Sequence, residues 1–236
     1  MDRADVIIFG GGLVGLTLAA ALDASGLTAI VVDPSDPGGR ATVAFDGRTT
    51  AVSSSSMRML RAVGIADHLP AEGCPIRTIS VADGLQPGSL QFEPPADDDE
   101  PLGFHHAARI TDKRLALVGD AAHAIHPIAG QGLNLGFRDV AALAQVLVEG
   151  ARLGLDLGDR QLLDRYQRWR ALDALSVSVA TDSLTRIYGV PGKAASAVRR
   201  FGMGLIGRIG PVRDRLMSEA RGTSGDLPLL LRGLPI

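Results

Sequence analysis

The stretch Asp5-Val6-Ile7-Ile8-Phe9-Gly10-Gly11-Gly12-Leu13-Val14-Gly15, continued by Leu16-Thr17-Leu18-Ala19-Ala20-Ala21-Leu22, decides the fold. Asp5 to Phe9 is a short β-branched apolar run, the pattern of a parallel strand buried on both faces. Leu13 to Ala24 is rich in Ala and Leu and predicts a helix. Between them the spacing Gly10, Gly12, Gly15 makes a GxGxxG. Gly10 permits a tight turn, Gly12 lets backbone approach a pyrophosphate, and Gly15 lets the helix pack close to the strand. The helix N-terminus then offers unpaired N–H donors and a partial positive charge to phosphates. Ala29 to Val32 predicts the second strand, and Asp33 at its end is placed for a ribose hydroxyl. An acid there argues against a 2′-phosphate, so FAD or NAD is expected rather than NADP. The bland alternative is a Gly-rich turn with no ligand.

Val6 to Leu22 is also a run of 17 residues without a charge, close to the length of a membrane span. The leader Met1-Asp2-Arg3-Ala4-Asp5 is net acidic, not the basic region a signal peptide wants, and three glycines interrupt the run. A soluble strand–turn–helix is therefore expected.

Working outward, Ser53 to Val63 predicts a helix with Ser53 as N-cap, and Arg77 to Ala82 and Ser89 to Phe92 predict strands. Glu93 to Pro101 is Pro-rich with four adjacent acids, the mark of a solvated loop or a boundary. Leu115 to Val118 is another short apolar strand, running into Gly119-Asp120-Ala121-Ala122-His123. Pro127 and Gly130-Gln131-Gly132-Leu133-Asn134 follow, and a helix begins near Gly132, with Leu143, Val146 and Leu147 at helical spacing. Here a strand delivers the Asp120 carboxylate, able to accept from polyol hydroxyls. A glycine loop then feeds a helix N-terminus whose N–H groups can stabilise negative charge on a flat electron-accepting ring. The plain alternative is a helix cap and a turn. From Asp159 onward the pattern is helical.

Composition limits the function classes. The 236 residues are 46% hydrophobic and 21% charged, a globular balance. The single cysteine, Cys74, excludes an intrachain disulfide and a Cys-based zinc site. His105-His106 and His123-x-x-His126 are near each other in sequence, but the HxxH sits in a Gly/Pro loop without a helix to align the rings, so no metal site is expected, and His123 is expected to pack or bond locally. Residues 1–150 carry 10 basic and 18 acidic side chains, whereas 151–236 carry 14 and 8. The Arg-rich end (Arg199, Arg200, Arg208, Arg213, Arg215) reads as a solvated helical face, with a peripheral membrane contact as the alternative. Net negative charge and few aromatics argue against nucleic acid.

Taken in order, GGGLVG, then Asp46-Gly47-Arg48-Thr49-Thr50-Ala51-Val52-Ser53, then GDAAHAIHPIAGQGLNLGFRD, the chain resembles the p-hydroxybenzoate-hydroxylase-like flavoprotein monooxygenases, in particular the hydroxylases of ubiquinone biosynthesis. The resemblance runs through 1–104 and 105–236. It implies FAD, with Gly10, Gly12, Gly15 and Asp33 at the ADP half, Arg48 near the pyrophosphate and Asp120 at the ribityl chain. Pro127, Gly130, Gln131, Gly132, Leu133 and Asn134 would surround the isoalloxazine. It further implies NAD(P)H as reductant, a polyprenylated phenol as substrate, and no catalytic side chain, since the cofactor carries the chemistry. Members of the family carry a long middle segment that builds the substrate sheet; here Pro101-Leu102-Gly103-Phe104 passes directly to His105-His106-Ala107.

The expected protein is α/β: a Rossmann-like FAD-binding domain with a parallel sheet (1–150, two segments joined near 101–106), a truncated substrate sheet, and a helical C-terminal region (151–236). Apolar surface that the middle would cover is expected to be exposed. The expected activity is FAD-dependent aromatic hydroxylation with NAD(P)H and dioxygen. The alternatives are a non-catalytic or uncoupled FAD-binding remnant and an NAD-binding dehydrogenase. The expected location is cytoplasmic, with contact to the inner membrane or a biosynthetic complex as a further expectation.

Overall fold

The computed structural model describes residues 3–36, 50–69, 105–107, 109–124, 132–171, 218 and 221–236. The predicted strands at 77–82 and 89–92, the acidic break at 93–101, the helical continuation beyond 171 and the arginines from 199 to 215 lie outside them.

Strand β1 (Val6–Phe9) leads through the glycine turn into helix α1 (Leu13–Asp23), which returns to strand β2 (Ala29–Val32). The strands pair in parallel, with Val6 opposite Ala29 and Phe9 opposite Val32. The inner-face residues Val6, Ile8, Ala29 and Val31 pack into the core with Leu18, Ala21 and Leu22 of α1. The outer face corrects the expectation of burial on both sides. Ile7 is 58% exposed, Phe9 82%, Ile30 37% and Val32 45%, and the register aligns them as one apolar stripe. Period-two alternation sends these side chains away from α1, and no other described element covers them.

Helix α2 (Ser54–Ala62) starts where the sequence predicts, because the Ser53 hydroxyl accepts the Ser56 N–H at 3.2 Å. Two-residue strands follow: β3 (His105–His106) pairs antiparallel with β6 (His123–Ala124), and β4 (Thr111–Asp112) with β5 (Leu115–Ala116). The predicted strand at 115–118 is thus shorter than expected and, among the described residues, pairs only with its hairpin partner. Beyond the pairing Val118 stays extended, and Gly119, with a φ of +61°, then opens the 3-10 turn Gly119–Ala121.

Helix α3 (Gly132–Arg152) is the centre of the molecule. It is buried from Asn134 through Val148, and α1 packs along it. A helix apolar nearly all round belongs in a core. Helix α4 (160–171) is capped by Asp159, whose Oδ1 accepts the Gln161 and Leu162 N–H groups at 2.8 and 3.2 Å. The tail 221–236 is coil with one 3-10 turn, Leu229–Arg232, rather than regular helix. Leu230 and Leu231 plug the core against α2 and α3. Arg58 Nε donates to the Leu231 carbonyl at 2.9 Å and Gln145 Oε1 accepts the Leu229 N–H at 2.9 Å. Among the described residues no helix is long and apolar enough to cross a membrane.

Candidate functional site

The site grows from the start of α1. Gly10 has a φ of +113°, open to glycine alone at little cost, and its N–H donates to the Val32 carbonyl at 2.8 Å. Gly15 is fixed by packing, since a Cβ there would run into the Gly10 carbonyl oxygen. Gly12 differs. Its φ is ordinary at −77°, and among the described residues no atom lies within 4 Å of where its Cβ would stand. Packing among the described residues does not require glycine there; a group approaching the helix start from outside would.

That helix start is not capped by a side chain of its own first turn. Gly12 supplies no side-chain cap and α1 has no acid in its first turn. Helix α2, by contrast, satisfies its own N-terminus through Ser53. Unsatisfied amides at the positive end of a helix dipole suit a pyrophosphate.

Asp33 closes one side. Its Oδ2 accepts the Gly11 N–H at 2.6 Å and its Oδ1 the Ser35 N–H at 2.8 Å, so the carboxylate is held on the glycine turn.

Val14 brings in the second motif, about a hundred residues away in sequence. A Cβ on Gly119 would stand 3.2 Å from its methyls, and one on Gly136 would stand 2.7 Å away. Both glycines are therefore the receptacle for the side chain two places beyond Gly12. The contact sets the turn bearing Asp120, whose side chain is exposed, beside the start of α1. Of the predicted site residues, Gly10, Gly12, Gly15, Asp33 and Asp120 thus gather around one helix start. Gly132 and Leu133 open α3, half-buried. Arg48, Pro127, Gly130 and Gln131 lie outside the described residues.

Asn134 has a use the sequence did not disclose. Its Oδ1 accepts the Ser53 N–H at 2.8 Å and the Ser56 hydroxyl at 2.9 Å, and its Nδ2 donates to the Ala51 carbonyl at 3.0 Å. Buried at 5% exposure, it staples the segment that follows Arg48 to the start of α3.

Sequence reasoning also missed a buried ionic group behind the turn. Asp139, fully buried, accepts the Gly119 N–H at 2.9 Å and Arg170 Nε at 2.6 Å, and its Oδ1 lies 3.2 Å from His123 Nε2. Tyr166 lies near them and donates its hydroxyl to the Leu117 carbonyl at 2.8 Å. Burial pushes this phenol well above the usual tyrosine range; the Asp139 charge adds to the shift and Arg170 opposes it. The charged pair Arg138-Asp139 set directly before the apolar run Val140 to Ala144 was the available signal.

The residues present fit a dinucleotide: an open helix N-terminus, an anchored acid at the end of β2, and a second acid on a turn packed against the same helix.

Comparisons with known proteins agree with this geometry. The chain is 45% identical over 138 residues to the ubiquinone hydroxylase UbiL of Rhodospirillum rubrum, a match covering 57% of this chain and 32% of that protein. It is 42% identical over 118 residues to the ubiquinone biosynthesis monooxygenase COQ6 of Caenorhabditis elegans, covering 50% of this chain and 26% of that one. For the human COQ6 the figures are 38% over 120 residues, 51% and 26%. The chain thus spans about a third or less of the length of the curated relatives it matches. Two solved structures share the fold. The Diels-Alderase PyrE3 of pyrroindomycin biosynthesis has a TM-score of 0.73 at 17% identity, covering 94% of this chain and 81% of that one. CabE, an aromatic hydroxylase from angucycline biosynthesis, has a TM-score of 0.64 at 15% identity, covering 94% and 76%. The family described as FAD binding domain matches residues 3–102 and 101–179, taking in both glycine motifs and the helix between Asp120 and Arg170, and the chain belongs to that family.

Proposed function

We propose that this chain is the FAD-binding part of an aromatic-ring hydroxylase of the ubiquinone-biosynthesis type, working with NAD(P)H and dioxygen on a polyprenylated phenol. The observation that carries the reading is the convergence of Gly12, Asp33 and the Gly119–Asp120 turn on the start of α1. The likeness to UbiL and COQ6 supports the finer part, the substrate class and the reductant. When bound, FAD would supply the redox chemistry that links NAD(P)H and dioxygen to insertion of one oxygen atom into the ring and release of the other as water. The chain's own residues bind and orient. Amides at the start of α1 hold the pyrophosphate, with Arg48 as a nearby cation. Asp33 takes the ribose and Asp120 the ribityl hydroxyls. The segment Pro127 to Asn134 lines the isoalloxazine, its flanking helix held by the Asn134 staple. No side chain acts as acid, base or nucleophile, and no metal takes part. The proposed setting is cytoplasmic, with the inner membrane or a biosynthetic complex as a further point of peripheral contact.

A second reading, a non-catalytic or uncoupled FAD-binding remnant, is favoured by two observations. The family match comes as two pieces meeting at residues 101–102, and the outer face of the β1–β2 sheet is apolar and exposed. Both fit a chain lacking the wall that would enclose a phenol.

The test is the visible spectrum of the purified protein with the released cofactor identified by mass, followed by NADH and NADPH oxidation with product analysis. Bound FAD and a hydroxylated phenol uphold the first reading. Hydrogen peroxide without hydroxylated product, or no oxidation by FAD-loaded protein, upholds the second. A folded protein that takes up no FAD overturns both.

A further inference from the structure

Asp139 lies fully buried in α3, beside the buried Arg138 and ahead of the apolar stretch Val140 to Ala144, and grips three separate segments. Oδ2 accepts the backbone N–H of Gly119; Oδ1 accepts Nε of Arg170 from α4 and stands 3.2 Å from Nε2 of His123 on β6. Arg170 and His123 are themselves only 3% and 2% exposed. Well-packed apolar side chains of similar volume would hold α3 and α4 together at no greater cost, because a buried ion pair carries a large desolvation penalty. A plain weld between helices therefore does not account for the carboxylate.

What an apolar side chain cannot do is accept the Gly119 N–H. That bond fixes the peptide plane entering Gly119, whose φ of +61° starts the turn, and the next residue is Asp120. The far side of the same glycine is closed by Val14. The turn is thus clamped between the buried Asp139 carboxylate behind it and the start of α1 in front, and Asp120 is the one ionisable side chain of Gly119–Ala121 that it presents outward.

We infer that Asp139, braced by Arg170 and His123, is the positioning residue for Asp120, setting the Gly119–Asp120 turn in the one orientation that receives the polyol of the cofactor. The inference rests on the FAD reading above and deepens it. Asp139 touches no cofactor; it acts through the turn, by one charge-assisted hydrogen bond to the backbone.

The experiment is a double-mutant cycle on FAD affinity, read by flavin fluorescence in the full chain, with melting curves recorded without FAD. D139N weakens FAD binding about 10- to 100-fold, the worth of one hydrogen bond to a charged group. D120A weakens it as well. The double variant D120A/D139N is within about twofold of D120A alone, because the two residues act as one unit. Losses that multiply, D139N binding FAD like wild type, or D120A without effect would each overturn the inference while leaving the FAD reading intact. Wild-type protein that binds no FAD would overturn both. Should D139N not fold, R170K keeps the charge but moves it off the Nε position; it gives a smaller loss with the same non-additivity, and multiplying losses there overturn the inference equally.

Discussion

Gly12 and Gly15 stand three residues apart and serve different masters. A methyl on Gly15 meets the Gly10 carbonyl, so Gly15→Ala forces the helix off the turn and costs about 1–3 kcal/mol of stability or more. Gly12→Ala meets nothing among the described residues and is expected to leave the melting temperature close to wild type, while its methyl would stand where the proposed pyrophosphate approaches. Thermal melts paired with FAD titrations check the contrast: stability lost at one position, FAD affinity lost at the other. The same scale holds Asn134, whose truncation to Ala strands the Ser53 N–H and the Ala51 carbonyl. Asn134→Ala is expected to cost about 1–3 kcal/mol in chemical denaturation. The turn at Gly10 and the close approach at Gly15 could be read from spacing because each is a local matter of turn and helix start. The Asn134 staple could not, since its partners lie about eighty residues upstream and nothing near Asn134 names them.

At the scale of elements, the strand–helix–strand unit follows the sequence nearly residue for residue. Its signals are local: a β-branched run, a glycine turn, a helical stretch. Helix α2 is equally local, and removing its cap with Ser53→Ala is expected to cost about 1 kcal/mol, measured as a shift in the denaturation midpoint. The packing of α4 on α3 was not legible, because Arg170 and Asp139 are partners only once both helices exist. Tyr166 gives that packing a pH signature. In the unfolded chain its phenol ionises near the ordinary value of 10.0, and in the fold it keeps its proton to higher pH. Above that point the folded state binds more protons than the unfolded one, so stability is full below about pH 10 and falls as the pH rises further. Tyr166→Phe flattens this alkaline loss, at the price of about 1 kcal/mol at neutral pH from the bond to the Leu117 carbonyl. Urea melts of both proteins across the alkaline range decide it; equal slopes would refute the assignment.

At the scale of the molecule, alternation in β1 and β2 told which residues share a face but not what lies against it. The sequence pattern therefore promised two covered faces where the described structure supplies one. The stripe Ile7, Phe9, Ile30 and Val32 is of the kind that drives association. Replacing Phe9 and Ile30 with Thr is expected to lower light scattering and dye binding while leaving the melting temperature nearly unchanged, since exposed side chains contribute little to the fold. The two glycine motifs, for their part, meet through one side chain, Val14, lodged against Gly119 and Gly136. Such a joint can be rekeyed. Shrinking Val14 to Ala opens a hole that Gly136→Ala then fills from the helical side, where an alanine also suits the backbone. Gly119 cannot answer in the same way, because its φ of +61° excludes a side chain at low cost. Relatives of this chain should therefore show positions 14 and 136 drifting together, with 119 standing still.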